Sequence, residues 1–373
     1  MLIGIALSLG LGILVSGVAL AKSFSNGIAI LSAQSAQETI LGKRMEAITP
    51  TVLLPLLLYG YPPPPPEPAR EIGTATLITG PVNCSGQDCY TLQIDCPDLG
   101  ESILANVKVG ESTVSQTTGT VLFTTGFFGG FLWEARGGEA PRVLDDLRAA
   151  GFRTVQLAWD GNWFKGQWNK YEGTMRLACR PATVAQWVYD HLASQNANTP
   201  YCATGWSNGA SQVAYPMTHY GFENIFDSVL FESGPNWART DTGCLHNDPS
   251  HPTLWFSEDE RELVDYSFGY FPGDTSGPCY QEDAAQVQLF SDNSLALGNR
   301  DFKYPHTQVD FLFGDQDTTS TAAQGMYFYN WLSSHGTPLL SVQTVPGVGH
   351  GVIDTTAGAD ILRDTLINSC KIH

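Results

Sequence analysis

The pentapeptide Gly205-Trp206-Ser207-Asn208-Gly209 sets a serine between two glycines, a spacing suited to nucleophilic chemistry. A serine hydroxyl attacks well when it projects from a sharp strand-to-helix turn. Such a turn strains the serine backbone and draws neighbouring chain so close that flanking side chains would clash, which glycine relieves. The surroundings fit. Tyr201-Cys202-Ala203-Thr204 reads as a buried strand and Ala210 to His219 as a helix, with Pro216 a point of kinking. The positive end of that helix would face the serine, and its first N–H groups would lie open to a developing oxyanion.

A serine hydroxyl needs a base within hydrogen-bond reach, and the base needs a partner that fixes its tautomer. Of 8 histidines, His350 has the most suitable setting. It lies in Pro346-Gly347-Val348-Gly349-His350-Gly351, a glycine-rich loop straight after an apolar strand, where α/β folds place their chemistry. His191 and His335 fall near helix C-termini, His246 and His251 in a long insertion, and His219, His306 and His373 have no glycine loop. For the acid, Phe311-Leu312-Phe313-Gly314-Asp315-Gln316-Asp317-Thr318 runs from an apolar strand into two carboxylates. One should face the histidine and the other cap the following helix. Asp317 is the choice ahead of Asp315, and Glu232, ending the preceding strand, is the remaining candidate.

These side chains are far apart in sequence, so regular elements must bring them together. From Thr74 to Gly110 short alternating runs punctuated by glycine read as β structure. After Gly119 strands and helices alternate: strand 121–123, helix 141–150, strand 154–159, helix 181–194, the serine strand and its helix, strand 226–231, strand 309–313, helix 319–335, strand 339–345 and helix 356–369. Such alternation implies an α/β fold, with a parallel sheet covered on both faces. The interruption at about 234–300 is too long for a plain loop; it reads as a lid over the site, tied by Cys244 and Cys279.

Composition narrows the partners. The formal net charge is −18, with 37 acidic and 19 basic side chains, which argues against nucleic acid and anionic membrane surfaces as natural partners. Eight cysteines show no C-x-x-C pair and no zinc spacing, so no metal is expected and disulfides are. Cys84 with Cys89, and Cys244 with Cys279, are the local pairings. Residues 1–21 are uncharged, apolar and end in Ala19-Leu20-Ala21, which fits either a cleaved signal peptide or a membrane anchor. A second start is available at Lys43-Arg44-Met45 before the apolar Val52 to Tyr59. Residues 22–70 read as a linker carrying the stiff run Pro62 to Pro66, leaving 71–373 as the folded domain. Export is expected, as secretion, periplasmic residence or N-terminal membrane attachment. Oligomeric state is left open.

The order Ser207, Asp317, His350, each after an expected strand, resembles the α/β-hydrolase superfamily, over about residues 118–373, and in particular its secreted esterase and dienelactone-hydrolase-like branches. The resemblance implies that the acid is the second carboxylate of Gly314-Asp315-Gln316-Asp317, which favours Asp317. It implies an oxyanion hole from two backbone N–H groups, that of Asn208 and one from Thr125-Gly126-Phe127-Phe128-Gly129-Gly130. Phe127 is the first choice there and Phe128 the second. The loop departs from the His-Gly-Gly-Gly form of the superfamily. The implied activity is ester hydrolysis through an acyl-enzyme with no cofactor. Amide or peptide hydrolysis with the same three residues, or a non-catalytic binding protein on this fold, are the alternatives. Phe127, Phe128, Trp133, Trp159, Trp163, Trp206 and Trp237 fall near loops at the carboxyl edge of the sheet, suggesting an aromatic-lined cleft; Phe128, Trp159, Trp206 and Trp237 are the substrate-binding candidates. A neutral or weakly cationic ester, small or polymeric, suits the net charge.

Overall fold

The computed structural model describes residues 67–372 apart from 169, 196, 197 and 299. The leader, the second start and the five-proline run lie outside the described residues. Nine strands form one sheet. They are β1 (Thr74–Cys84), β2 (Gln87–Asp95), β3 (Ile103–Gly110), β4 (Gly119–Thr124), β5 (Phe152–Asp160), β6 (Tyr201–Trp206), β7 (Ser228–Glu232), β8 (Gln308–Gly314) and β9 (Leu340–Val345). The spatial order is β1-β2-β3-β5-β4-β6-β7-β8-β9. The first three pairings are antiparallel, and the five from β5 to β9 are parallel. The β-rich stretch from Thr74 to Gly110 is therefore an extension of the same sheet, not a separate unit.

Strands β4, β6 and β7 are buried along nearly their whole length because both their faces are covered. Alternation sorts their side chains. Leu122, Val229, Phe231, Phe311 and Phe313 face one core. Val121, Phe123, Leu230 and Leu312 face the other. The first face is covered by α2 (Gly173–Leu177), α3 (Cys179–Val188), α4 (Asn208–Tyr220) and α8 (Ser320–His335). The second is covered by α1 (Ala140–Ala149) and α9 (Thr356–Ser369).

Local signals end these helices where the sequence places them. Thr319 caps α8 by accepting the Ala322 N–H at 3.3 Å, and Gly336 closes it in the left-handed region at φ 81°. Thr355 caps α9 through the Gly358 N–H at 3.2 Å. Pro216 lies inside α4, which runs unbroken from Asn208 to Tyr220.

The insertion between β7 and β8 carries α5 (Thr240–Leu245), α6 (Glu258–Ser267) and α7 (Val287–Asp292). Trp237, Cys244, Phe256, Val264, Phe268, Cys279, Phe290 and Leu295 are buried in the first core. All eight cysteines are paired. Cys84–Cys89 and Cys244–Cys279 are the local pairs the spacing suggests; Cys96–Cys179 and Cys202–Cys370 span 83 and 168 residues. Cys202–Cys370 fastens the end of the chain to β6, the strand that carries the serine. Four disulfides suit an oxidising compartment. Among the described residues no helix is long and apolar enough to cross a membrane.

Candidate functional site

Strand β6 delivers Ser207 at the centre of the parallel sheet. The serine has φ 55° and ψ −124°, a strained backbone for a residue with a side chain. Its N–H is held by the Glu232 carbonyl at 2.8 Å, and its carbonyl receives the Ala210 N–H at 2.9 Å. The flanking glycines are needed for space: a Cβ on Gly205 would lie 2.3 Å from the Gly209 oxygen, and one on Gly209 2.6 Å from the Thr124 oxygen. Thr124 in turn donates its hydroxyl to the Gly209 carbonyl at 2.8 Å, so the end of β4 and the start of α4 are locked face to face.

The loop after β4 closes on this turn. A Cβ on Gly126 would sit 3.1 Å from the Ser207 Cβ. The Asn208 Nδ2 donates to the Phe127 carbonyl at 2.6 Å, which joins the two residues expected to supply oxyanion donors. Asn208 opens α4, so its own N–H has no intrahelical acceptor. Phe127 adopts φ 50°. Behind the loop Gln212 accepts the Trp159 indole N–H at 2.8 Å and donates to the Thr125 carbonyl at 2.9 Å. The Trp159 main-chain N–H also donates to the Gly129 carbonyl at 2.8 Å, so the loop has one anchorage in α4 and one in β5.

His350 comes from the loop after β9. Its Nδ1–H donates to Asp317 Oδ2 at 2.8 Å, and the Asp317 side chain has 0% exposure against 28% for the imidazole. The other Asp317 oxygen accepts the Thr319 hydroxyl at 2.7 Å and the Thr319 N–H at 3.1 Å. Burial pushes this carboxyl up, but the His350 hydrogen bond and charge, with Thr319, outweigh it and hold it below the ordinary carboxylate value. Asp315 has a different task from the helix cap expected for the spare carboxylate. It accepts the Gly347 N–H at 2.6 Å and so pins the loop that carries His350, while Thr319 caps the helix.

The histidine and the serine turn are joined through Trp206. Its indole N–H donates to the His350 carbonyl at 3.1 Å, and the two rings are 5.7 Å apart. Glu232, the third acid candidate, is bound elsewhere: both its oxygens take the Arg136 guanidinium, at 2.5 and 2.7 Å. Five of the rival histidines have other settings. His191 and His335 bond the Trp187 and Trp331 carbonyls, His246 lies against Glu282 and the Phe256 carbonyl, and His251 pairs with Asp248 on the surface. His219 is buried, and burial holds its pKa well below the ordinary value.

The aromatic candidates separate by burial. Phe127 is 64% and Phe128 40% exposed, and Trp206 is half-buried with its ring 6.1 Å from Phe127. Trp159 and Trp237, expected to contact substrate, are instead interior. Trp159 supports the Phe127 loop, and Trp237 packs against Trp163, Phe164 and Tyr215. Trp133 and Trp163 are interior as well. The reason is size: a large apolar ring near a loop gains most by entering the core beneath it. Sequence reasoning missed Arg136, Gln212 and Thr319. None carries a local signal, because each acts on a residue remote in sequence or serves as a helix cap first. Among the described residues no cluster of three or more His, Cys, Asp or Glu side chains could hold a metal.

The architecture is an α/β-hydrolase fold: a mostly parallel sheet with helices on both faces and the serine turn leaving a central strand. No protein-family model matches the sequence, and no curated protein matches it. Solved structures resemble it in outline. A carboxyl esterase from Bacillus coagulans matches with a TM-score of 0.45 at 18% identity, covering 75% of this chain and 97% of its own. Acetyl xylan esterase 1 from Thermoanaerobacterium sp. JW/SL YS485 gives 0.46 at 13%, covering 80% and 88%. Carboxyl esterase 2 from Tuber melanosporum gives 0.45 at 13%, covering 83% and 90%. Likenesses this distant assign no residue a role.

Proposed function

We propose that the protein is a serine hydrolase that cleaves a carboxylic ester through an acyl-enzyme. The observation that carries this is the short bond from His350 to the enclosed Asp317 carboxylate, tied through Trp206 to the strained turn at Ser207. Asp317 fixes the tautomer with the proton on Nδ1, which leaves Nε2 as the base. The Ser207 hydroxyl attacks the ester carbonyl as Nε2 takes its proton. The oxyanion is received by the main-chain N–H groups of Phe127 and Asn208. The tetrahedral intermediate collapses, the ester C–O bond breaks, and the imidazolium gives its proton to the departing alcohol. Water then attacks the acyl-serine with His350 again as base. The acid leaves and the Ser207 hydroxyl is restored.

The exposed rings of Phe127 and Phe128 beside Trp206 support an apolar group next to the scissile bond. The net charge of −18 supports a neutral or weakly cationic substrate. The four disulfides support action outside the cytoplasm, to which residues 1–21 would direct the chain.

A panel of p-nitrophenyl esters and aminoacyl anilides, run on the protein and on Ser207→Ala, tests the proposal. Ester turnover that vanishes in Ser207→Ala and exceeds anilide turnover is expected. Anilide turnover equal to or above ester turnover would make it an amide hydrolase, and no turnover of either would leave a binding protein.

A further inference from the structure

An ion pair lies buried beneath the serine turn, and none of the steps above uses it. Arg136 and Glu232 have only 2% and 1% side-chain exposure. Their bond is bidentate, at 2.5 and 2.7 Å. A buried pair is a poor source of stability, because desolvating two charges offsets much of their attraction. What a planar fork on a carboxylate supplies is fixed geometry.

That geometry is applied to the serine turn twice. Glu232 lies opposite Trp206 in the β6–β7 register, and its main-chain oxygen holds the Ser207 N–H at 2.8 Å. The Arg136 guanidinium carbon lies 4.3 Å from the centre of the Trp206 ring, within reach of a cation–π attraction. Arg136 is itself held in place. It ends the short turn Trp133–Arg136, whose Glu134 N–H donates to Gln156 at 2.8 Å and whose Glu134 carboxylate pairs with Lys108 at 2.8 Å. The far edge of the Trp206 indole then donates to the His350 carbonyl at 3.1 Å.

We propose that Trp206 is a positioning residue for His350. Its N–H sets the height of the His350 main chain over Ser207, and the Arg136–Glu232 pair holds the indole flat in that position. Trp206 therefore acts through the base and is not chiefly a wall for substrate. This rests on the serine-hydrolase proposal above.

Trp206→Phe in the full chain separates the two roles. Phenylalanine keeps an aromatic face over Arg136 and an apolar surface for substrate, but has no N–H. With a p-nitrophenyl ester, kcat and the rate of fluorophosphonate labelling should both fall about tenfold, while KM and the melting temperature hold. Arg136→Lys, which keeps the charge but loses the flat fork, should lower kcat in the same way. Wild-type kcat in Trp206→Phe would overturn the assignment. So would a raised KM at unchanged kcat, which would mark Trp206 as a substrate contact. If Trp206→Phe does not fold, Arg136→Lys decides, and labelling at the wild-type rate overturns the assignment. The two proposals fail differently. A wild-type protein that takes up no fluorophosphonate ends both, whereas equal labelling of wild type and Trp206→Phe ends only this one.

Discussion

Asp315 and Asp317 stand two residues apart and grip the same loop at two points. Asp317 Oδ2 takes the His350 imidazole at 2.8 Å, and Asp315 Oδ1 takes the Gly347 main chain at 2.6 Å. One carboxylate orients the ring and the other steadies the backbone that carries it. The two are therefore expected to fail differently on substitution. Asp317→Asn keeps the shape but offers His350 the wrong hydrogen-bond partner, and kcat should fall by about 10³–10⁴. Asp315→Asn, with an oxygen still available to the Gly347 N–H, should lose about tenfold or less. Steady-state kinetics of the two variants checks this; equal losses would contradict the division.

The depressed Asp317 carboxyl has a consequence for acid stability. Its folded pKa lies below its ordinary value because His350 and Thr319 more than offset the effect of burial. Such a group stabilises the fold at pH values above its unfolded pKa of about 3.9, and the contribution is lost as pH falls through the folded value. Melting curves from about pH 7 to about pH 3 should therefore fall more steeply for the wild type than for Asp317→Asn at the acid end. Parallel curves would show that the bond does not contribute.

The serine turn tolerates no side chain at its second glycine. A Cβ at Gly209 would meet the Thr124 oxygen at 2.6 Å, a main-chain atom at the end of β4 that cannot swing away. Gly209→Ala should destabilise the protein by about 1–3 kcal/mol, the usual cost of overpacking a closed core, and lower kcat further than the stability loss explains. Chemical denaturation alongside kinetics measures both.

Cys202–Cys370 closes a loop of 168 residues. Replacing both cysteines by alanine should cost about 2–5 kcal/mol. The loss should appear in the melting temperature and not in KM, since the bridge joins β6 at its start, Ser207 lying past the strand's far end. A raised KM would mean that the closing segment reaches the site.

The strands, the helices and the contact between His350 and Asp317 were legible because each depends on local signals. The short apolar runs Tyr201-Cys202-Ala203, Val229-Leu230-Phe231 and Phe311-Leu312-Phe313 mark β6, β7 and β8, and the glycine pairs mark Ser207 and His350. The third dimension was not legible. Trp159 and Trp237 look from sequence like cleft residues, yet proximity to a loop does not say which side of the loop a ring enters. The pairings Cys96–Cys179 and Cys202–Cys370 were illegible for the same reason, being set by the sheet order and not by spacing. The Arg136–Glu232 contact joins residues 96 apart in sequence, and neither end announces it.

Fluorophosphonate labelling followed by peptide mapping tests the central claim most directly, because the reagent reports an activated serine without any assumption about substrate. One label per chain is predicted, on Ser207, abolished in Ser207→Ala and strongly slowed in His350→Ala. A folded wild-type protein that takes up no label, or takes it up at another residue, would contradict the account.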